Sequence, residues 1–122
     1  MKKNILKYDY DEKNDSLFIY STDKYEYEFS LNSSRDVLVD IDKKGVPVAF
    51  EFLNASKTFE IKKQDFSNLN KIFINSSIRE NLIKIHIQLV FTLLDNPINV
   101  GIDRIIDNVS NLPNNDYELA LI

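Results

Sequence analysis

Residues Asp40 to Glu51 read DIDKKGVPVAFE, and two folds compete for this stretch. One is the calcium loop of a helix–loop–helix unit. Such a loop needs oxygens at positions 1, 3 and 5, glycine at 6 and glutamate at 12. Asp40, Asp42, Gly45 and Glu51 stand at the first, third, sixth and twelfth of these places. The other fold is a β-hairpin. Lys44 decides between them, because it brings a cation to the fifth place, where the ion needs an oxygen. Pro47 is poorly placed for the short backbone pairing that couples such loops. The flanks alternate with period two, as strands do. Asp42 then opens the turn, Lys43 and Lys44 span it, and Gly45 supplies the positive φ of a hairpin with a bulge. No metal site is expected here.

The alternation continues on both sides. Val37, Val39 and Ile41 share a face before the turn, and Val46, Val48, Phe50 and Phe52 share one after it. Glu51 lies between Phe50 and Phe52 and faces away from them, toward solvent. Upstream, KYEYEFSL sets Tyr25, Tyr27, Phe29 and Leu31 against Glu26, Glu28 and Ser30, the pattern of a half-buried strand. SLFIYS, from Ser16, is apolar on both faces, and DEKND before it is a turn cluster. Short turns between these runs predict an antiparallel meander over roughly the first 53 residues.

Downstream, Asn54 is expected to cap a short helical turn that starts at Ala55. A second turn over Gln64 to Asn70 would point Phe66 and Leu69 at the core. SIRE, Ser77 to Glu80, has capping-box spacing and argues for a helix to follow. The next run, NLIKIHIQLVFTLL, argues otherwise. Ile83, Ile85, Ile87, Leu89, Phe91 and Leu93 share one parity, and Lys84, His86, Gln88 and Thr92 share the other. A helix here would be apolar almost all round, and the branched residues favour a strand. The spacing therefore predicts a long strand over Leu82 to Leu94, with Ile85 inside and Lys84, His86 and Gln88 outside. DNP turns it into a return strand, INVGIDRII, in which Gly101 marks a bulge. YELALI is the last strand. The expected fold is mainly β (α+β): one domain over residues 1–122, an antiparallel β-meander in each half and a short helical connector.

Composition narrows function by exclusion. The chain has 122 residues, 43% hydrophobic and 28% charged, ordinary globular usage with room for a real core. Its 19 acidic and 15 basic residues give a net charge of −4, so it lacks the basic footprint of a nucleic-acid binder. Without cysteine there are no disulfides, thiolate nucleophiles or Cys-based metal sites. No apolar run is long enough to span a membrane, and the N-terminus lacks a signal-peptide core. The expected location is the cytoplasm. With two glycines there is no glycine-rich phosphate cradle. His86 is the only histidine, too little for a multi-histidine metal site, and it is expected to be exposed. No serine stands in a nucleophile-elbow context. No catalytic residue, cofactor or metal is expected. Asp9, Asp11, Glu12 and Asp15 cluster about a turn, where carboxylates are ordinarily solvated.

YDYDEKNDSLFIY, from Tyr8, followed by DVLVDIDKKGVPVAFEFLNAS, from Asp36, resembles the small family catalogued as domain of unknown function 2283. The resemblance covers about residues 6–57. It is carried by Tyr8, Asp9, Asp15, Leu17, Ile19, Asp40, Gly45, Glu51, Leu53, Ala55 and Ser56, while Phe18 and Phe52 depart mildly from the family's Tyr and Ile. It implies a β-meander closed by a short helix, in small cytoplasmic prokaryotic proteins. It implies no established activity and no catalytic residues.

Two functions remain. The better supported is a non-enzymatic protein–protein interaction or assembly module. Leu17 and Ile19 point one way on their strand while Phe18 and Tyr20 point the other, and Leu38 opposes Val37 and Val39. A single antiparallel sheet needs only one apolar face. Either the C-terminal half covers the second face, or a partner does, most simply in a homodimer. Tyr20, Tyr25 and Tyr27 are the candidate anchors. The alternative is a small enzyme or ligand-binding protein that uses Asp9, Asp40 and Glu51 in a pocket between the halves.

Overall fold

The strands pair into two antiparallel sheets, as the alternation predicts. The computed structural model describes residues 6–33 and 36–122. In the first sheet lie β1 (Leu6–Asp11), β2 (Ser16–Ser21), β3 (Tyr27–Ser33), β4 (Val37–Asp42) and β5 (Pro47–Phe52). The connector holds one turn of helix, α1 (Ala55–Thr58), and a 3-10 turn over Lys63–Asn68. The second sheet contains β6 (Leu69–Ile78), β7 (Leu82–Leu93), β8 (Asn96–Asp107) and β9 (Asn115–Leu121). The mainly β architecture and the helical connector are borne out.

Strand order departs from simple succession at two places, once in each sheet. The first sheet runs β1-β2-β5-β4-β3, so β2 lies beside β5 and the chain crosses to the far edge before β3 begins. That crossing spans three strand spacings, about 14 Å, which the five residues Thr22 to Glu26 can reach when extended. It is pinned against the β4–β5 turn, where the Lys43 amide donates to the Glu26 carbonyl at 2.8 Å. The second sheet runs β8-β7-β6-β9, with β9 returning to pair with β6.

The hairpin at Asp42 forms as its residues dictate. Gly45 has φ of +82°, and the Asp42 carboxylate accepts the Lys44 and Val46 amides at 2.9 Å each. The register shifts between Asp40 and Ile41, which is the expected bulge. Three local expectations fail. Gly101 marks no bulge: β8 pairs with β7 in unbroken register from Leu82↔Asp107 to Leu93↔Asn96. A Cβ at Gly101 would lie 3.5 Å from the His86 ring, an ordinary contact distance. Tyr27 does not join the buried face, because a register shift between Tyr27 and Phe29 leaves it 55% exposed. Asn54 makes no side-chain cap; it adopts left-handed backbone angles instead.

The core lies between the sheets. Directly opposed residues of antiparallel strands share a face. Tyr8, Ile19, Phe50, Val39 and Leu31 therefore form one inner row of the first sheet, and Tyr10, Leu17, Phe52, Val37 and Ser33 the next. Ile72 and Ile74 of β6 and Ile83, Ile85, Ile87, Leu89 and Phe91 of β7 face them in one continuous apolar cluster. The connector seals one side: Tyr10 stacks on Phe66 at 4.3 Å, and Phe66 meets Phe91 edge-on at 5.6 Å. An ion pair closes the other. Asp36 accepts Arg104 Nη2 at 2.7 Å and Nε at 3.2 Å, joining the start of β4 to β8.

Strand β7 carries the parity test. Ile85 is 0% exposed, whereas Gln88 reaches only the Asn99 side chain across the outer face, at 3.4 Å. Ile85→Asp should cost about 3 kcal/mol or more in urea denaturation, since it sets a carboxylate in the apolar core opposite an Arg104 already taken by Asp36. Gln88→Asp should stay within about 0.5 kcal/mol of wild type. Equal damage from the two would contradict this packing.

Candidate functional site

The second sheet covers one face of the first and leaves the other open. On the open face Asp9, Phe18, Glu51, Leu38 and Asn32 form one row across the strands. Lys7, Tyr20, Ala49, Asp40 and Ser30 form the next. Phe18 and Tyr20 alternate with the buried Leu17 and Ile19, so strand geometry forces both rings outward. The rings stack with centroids 5.1 Å apart. Ala49 is 1% exposed although it belongs to this outer row. Phe18, Tyr20, Tyr25 and Leu38 are half-buried. Tyr25 lies by Asp40 and Tyr20, and its phenol pKa is raised by burial first and then by those two neighbours. Ser30 Oγ donates to Asp40 at 2.7 Å, and the Tyr27 hydroxyl meets the same Ser30 oxygen at 2.7 Å. Tyr20 and Tyr25 thus belong to one patch, with Tyr27 at its β3 edge.

Asp9, Asp40 and Glu51 do not lie between the halves. All three belong to this outer face, and the interior between the sheets is filled by Phe, Ile, Leu and Val side chains. Parity is the reason, since each alternates with residues the core takes. Glu51 accepts Ser16 Oγ at 2.9 Å and, with Asp9 and Asp11, lines an open depression. Charge on the face is polarised along the strands. Asp9, Asp11 and Glu51 lie toward the β1–β2 turn. Lys24, Lys43 and Lys44 line a hollow at the opposite end beside Tyr25, with Lys43 paired to Glu26 at 3.3 Å.

The acidic cluster about the β1–β2 turn divides. Asp11 is solvent-facing and accepts the Asn14 side-chain and backbone N–H groups at 2.7 and 3.2 Å. Asp15 is only 8% exposed. Its carboxylate accepts the Tyr10 hydroxyl at 2.6 Å, Ser56 Oγ at 2.6 Å and the Ser56 amide at 3.0 Å. Its carbonyl accepts the Ala55 amide at 2.9 Å, so Asp15 supplies the α1 cap that Asn54 does not. Burial alone would raise its pKa, but the bonds from Ser56 and Tyr10, with Lys63 nearby, lower it overall. The Tyr10 phenol is pushed up strongly by burial and then by Asp15. Sequence pattern placed Asp15 among solvated acids; its partner stands 41 residues away, and no local periodicity reports that.

His86 is on the open face of the second sheet, as expected, and bonds Asp103 through Nδ1 at 2.8 Å. Asp103 was legible only as a strand residue. Among the described residues, no three potential metal ligands gather in one place. No helix among them is long and apolar enough to cross a membrane.

Residues 7–56 match the model of a family described as protein of unknown function, DUF2283. An uncharacterized protein of Methanocaldococcus jannaschii is 38% identical over 86 residues, covering 69% of this chain and 72% of that protein. The chain belongs to the DUF2283 family. A Methanosarcina mazei protein, provisionally named a hypoxanthine phosphoribosyltransferase, is 29% identical over 109 residues, or 89% of this chain and 87% of that one. No solved structure matches. The DUF2283 segment comprises the five-stranded sheet and the start of α1, and it encloses both Asp15 and Ser56. The second sheet of this family member lies outside the matched segment.

Two outcomes follow from this geometry. A carboxylate with a lowered folded pKa contributes stability above its unfolded value, near pH 4, and loses it as pH falls through the folded value. Asn tolerates the left-handed backbone at position 15, where φ is +53°. Asp15→Asn should therefore cost about 1–3 kcal/mol at pH 7, with the gap to wild type closing as urea melts are repeated below pH 4. A constant gap from pH 7 to 2.5 would show that the charge is irrelevant. Separately, the Asp42 carboxylate is already held by two backbone amides. Thermal melts in millimolar calcium and in chelator should coincide, whereas calcium near 100 times a dissociation constant would add about 2.7 kcal/mol.

Proposed function

We propose that this DUF2283 protein is a non-enzymatic protein–protein interaction module of the cytoplasm that docks through the open face of its five-stranded sheet. The observation that carries it is the stacked Phe18–Tyr20 pair, flanked by half-buried Tyr25 and Leu38, on the face opposite the core. Contiguous apolar surface with a polar border is the signature of a contact site, and tyrosine is enriched where contacts carry energy. Self-association is the simplest form, because a two-fold contact uses one patch twice.

The phosphoribosyltransferase name of the M. mazei relative points to phosphate-bearing substrates instead. Asp9, Asp11, Asp40 and Glu51 on this face would repel such anions, so the face supports that reading less. Asp9, Asp11 and Glu51 support a binding pocket less than a docking face, because the depression these three line is open to solvent.

Photo-crosslinking in the native host tests the docking face whatever occupies it. Benzoylphenylalanine in place of Tyr20 should yield a discrete adduct. The same probe in place of Lys84, on the far face of the second sheet, should yield none. No discrete adduct at position 20, or the same adducts from both positions, would sink the proposal.

A further inference from the structure

The two rows on the open face differ in a way that selects what docks there. One reads Asp9, Phe18, Glu51, Leu38, Asn32 and the other Lys7, Tyr20, Ala49, Asp40, Ser30, strand for strand. We propose that the occupant is a second copy of this chain, packed face to face with strands antiparallel, about a two-fold axis that crosses the strands midway between the rows. This rests on the reading that the face is a docking surface, and adds the partner and its geometry.

Rotation about that axis lays each row on the other. Lys7 then meets Asp9 of the second copy, an opposite-charge pair. Tyr20 meets Phe18, ring against ring. Asp40 meets Leu38, Ser30 meets Asn32, and Glu51 comes over Ala49, which its own chain's side chains already cover. Every contact occurs twice. At the ends, Lys24 and Lys44, in a hollow that Glu26 and Asp42 also line, come over the end of the second copy that carries Asp9, Asp11 and Glu51. A two-fold axis along the strands does worse. It sets Glu51 on Glu51 and leaves Lys7 over Ser30, although it brings the Tyr20 hydroxyl to Asp40. Like charges in direct opposition disfavour that arrangement. Aligned sheets pack with strands about 30° apart, which displaces contacts most at the sheet margins. Lys7 is at the margin, and its four-carbon stem spans such a displacement.

The contact pattern predicts a charge-swap rescue. Lys7 and Asp9 are both exposed, so K7D and D9K should fold like wild type, with melting curves as the check. In size exclusion with light scattering, wild type should run at twice the 14.2 kDa of one chain. Each variant alone should self-associate roughly tenfold more weakly, since like charges replace the pair at both symmetric contacts. An equimolar mixture of the two should recover the wild-type mass, because each then carries at both contacts the charge its partner needs. Tyr20→Glu should abolish association, and Lys84→Asp should leave it unchanged. Wild type that stays at the mass of one chain up to millimolar concentration overturns the inference. So does a mixture of K7D and D9K that stays as weak as either alone. A Tyr20 crosslink to a different protein, with wild type monomeric, would remove the second copy and leave the docking face standing.

Discussion

The Asp15 carboxylate is the interaction on which the arrangement of the two sheets depends. It lies in a turn between the first two strands, yet it fastens the chain just after the fifth. There it takes both polar groups of Ser56 and the Tyr10 hydroxyl. Burial of a carboxylate is tolerable only when such bonds replace its water. Its carbonyl also receives the Ala55 amide, so one residue starts α1. The direction in which the chain leaves β5 follows from this. Phe59, Ile61 and Phe66 then enter the core one after another, and Leu69 begins the second sheet.

Once the connector is set, the second sheet covers the inner rows of the first. Tyr8 reaches over to the Leu69 carbonyl at 2.9 Å on one side, and Ser33 to the Ile105 carbonyl at 3.2 Å on the other. These bonds, with the Asp36–Arg104 pair, tie the margins of the two layers together. Arg104 also blunts β8, an edge strand of twelve residues, by covering the Asp103 carbonyl at 2.8 Å. Pro97 leaves that strand without a backbone donor at its own position. Edge pairing is thereby discouraged, and the outer face of the first sheet is left open.

That outer face explains why β2 is apolar on both sides. Leu17 and Ile19 satisfy the core, so Phe18 and Tyr20 are not required by it. Their rings stack on each other and flank the buried Ala49. Asp9, Asp11 and Glu51 gather at one end of the face, and the lysines, with Glu26 and Asp42 among them, at the other. The His86–Asp103 pair occupies the corresponding surface of the second sheet, where side chains are mostly polar and no comparable ring cluster occurs among the described residues.

The sequence by itself determined what is local. Lys44 and Gly45 made Asp40 to Glu51 a hairpin, and the parity of Ile83 to Phe91 made β7 a strand despite the capping-box spacing at Ser77 to Glu80. Phe66 and Leu69 were legible as core residues, and the DUF2283 pattern was legible in residues 6–57. Each of these depends on neighbours a few positions away, where backbone geometry fixes which side chains share a face. Tertiary structure alone decided the rest. Which strand lies beside β2 depends on a crossing of the chain, so the rows that join Asp9 to Glu51 and Lys7 to Asp40 have no local signature. Tyr27 turned outward because of an irregularity opposite β4. Asp15 became buried only because Ser56 arrived beside it, and a residue's environment is set by whatever the folded chain brings to it rather than by its own sequence neighbours.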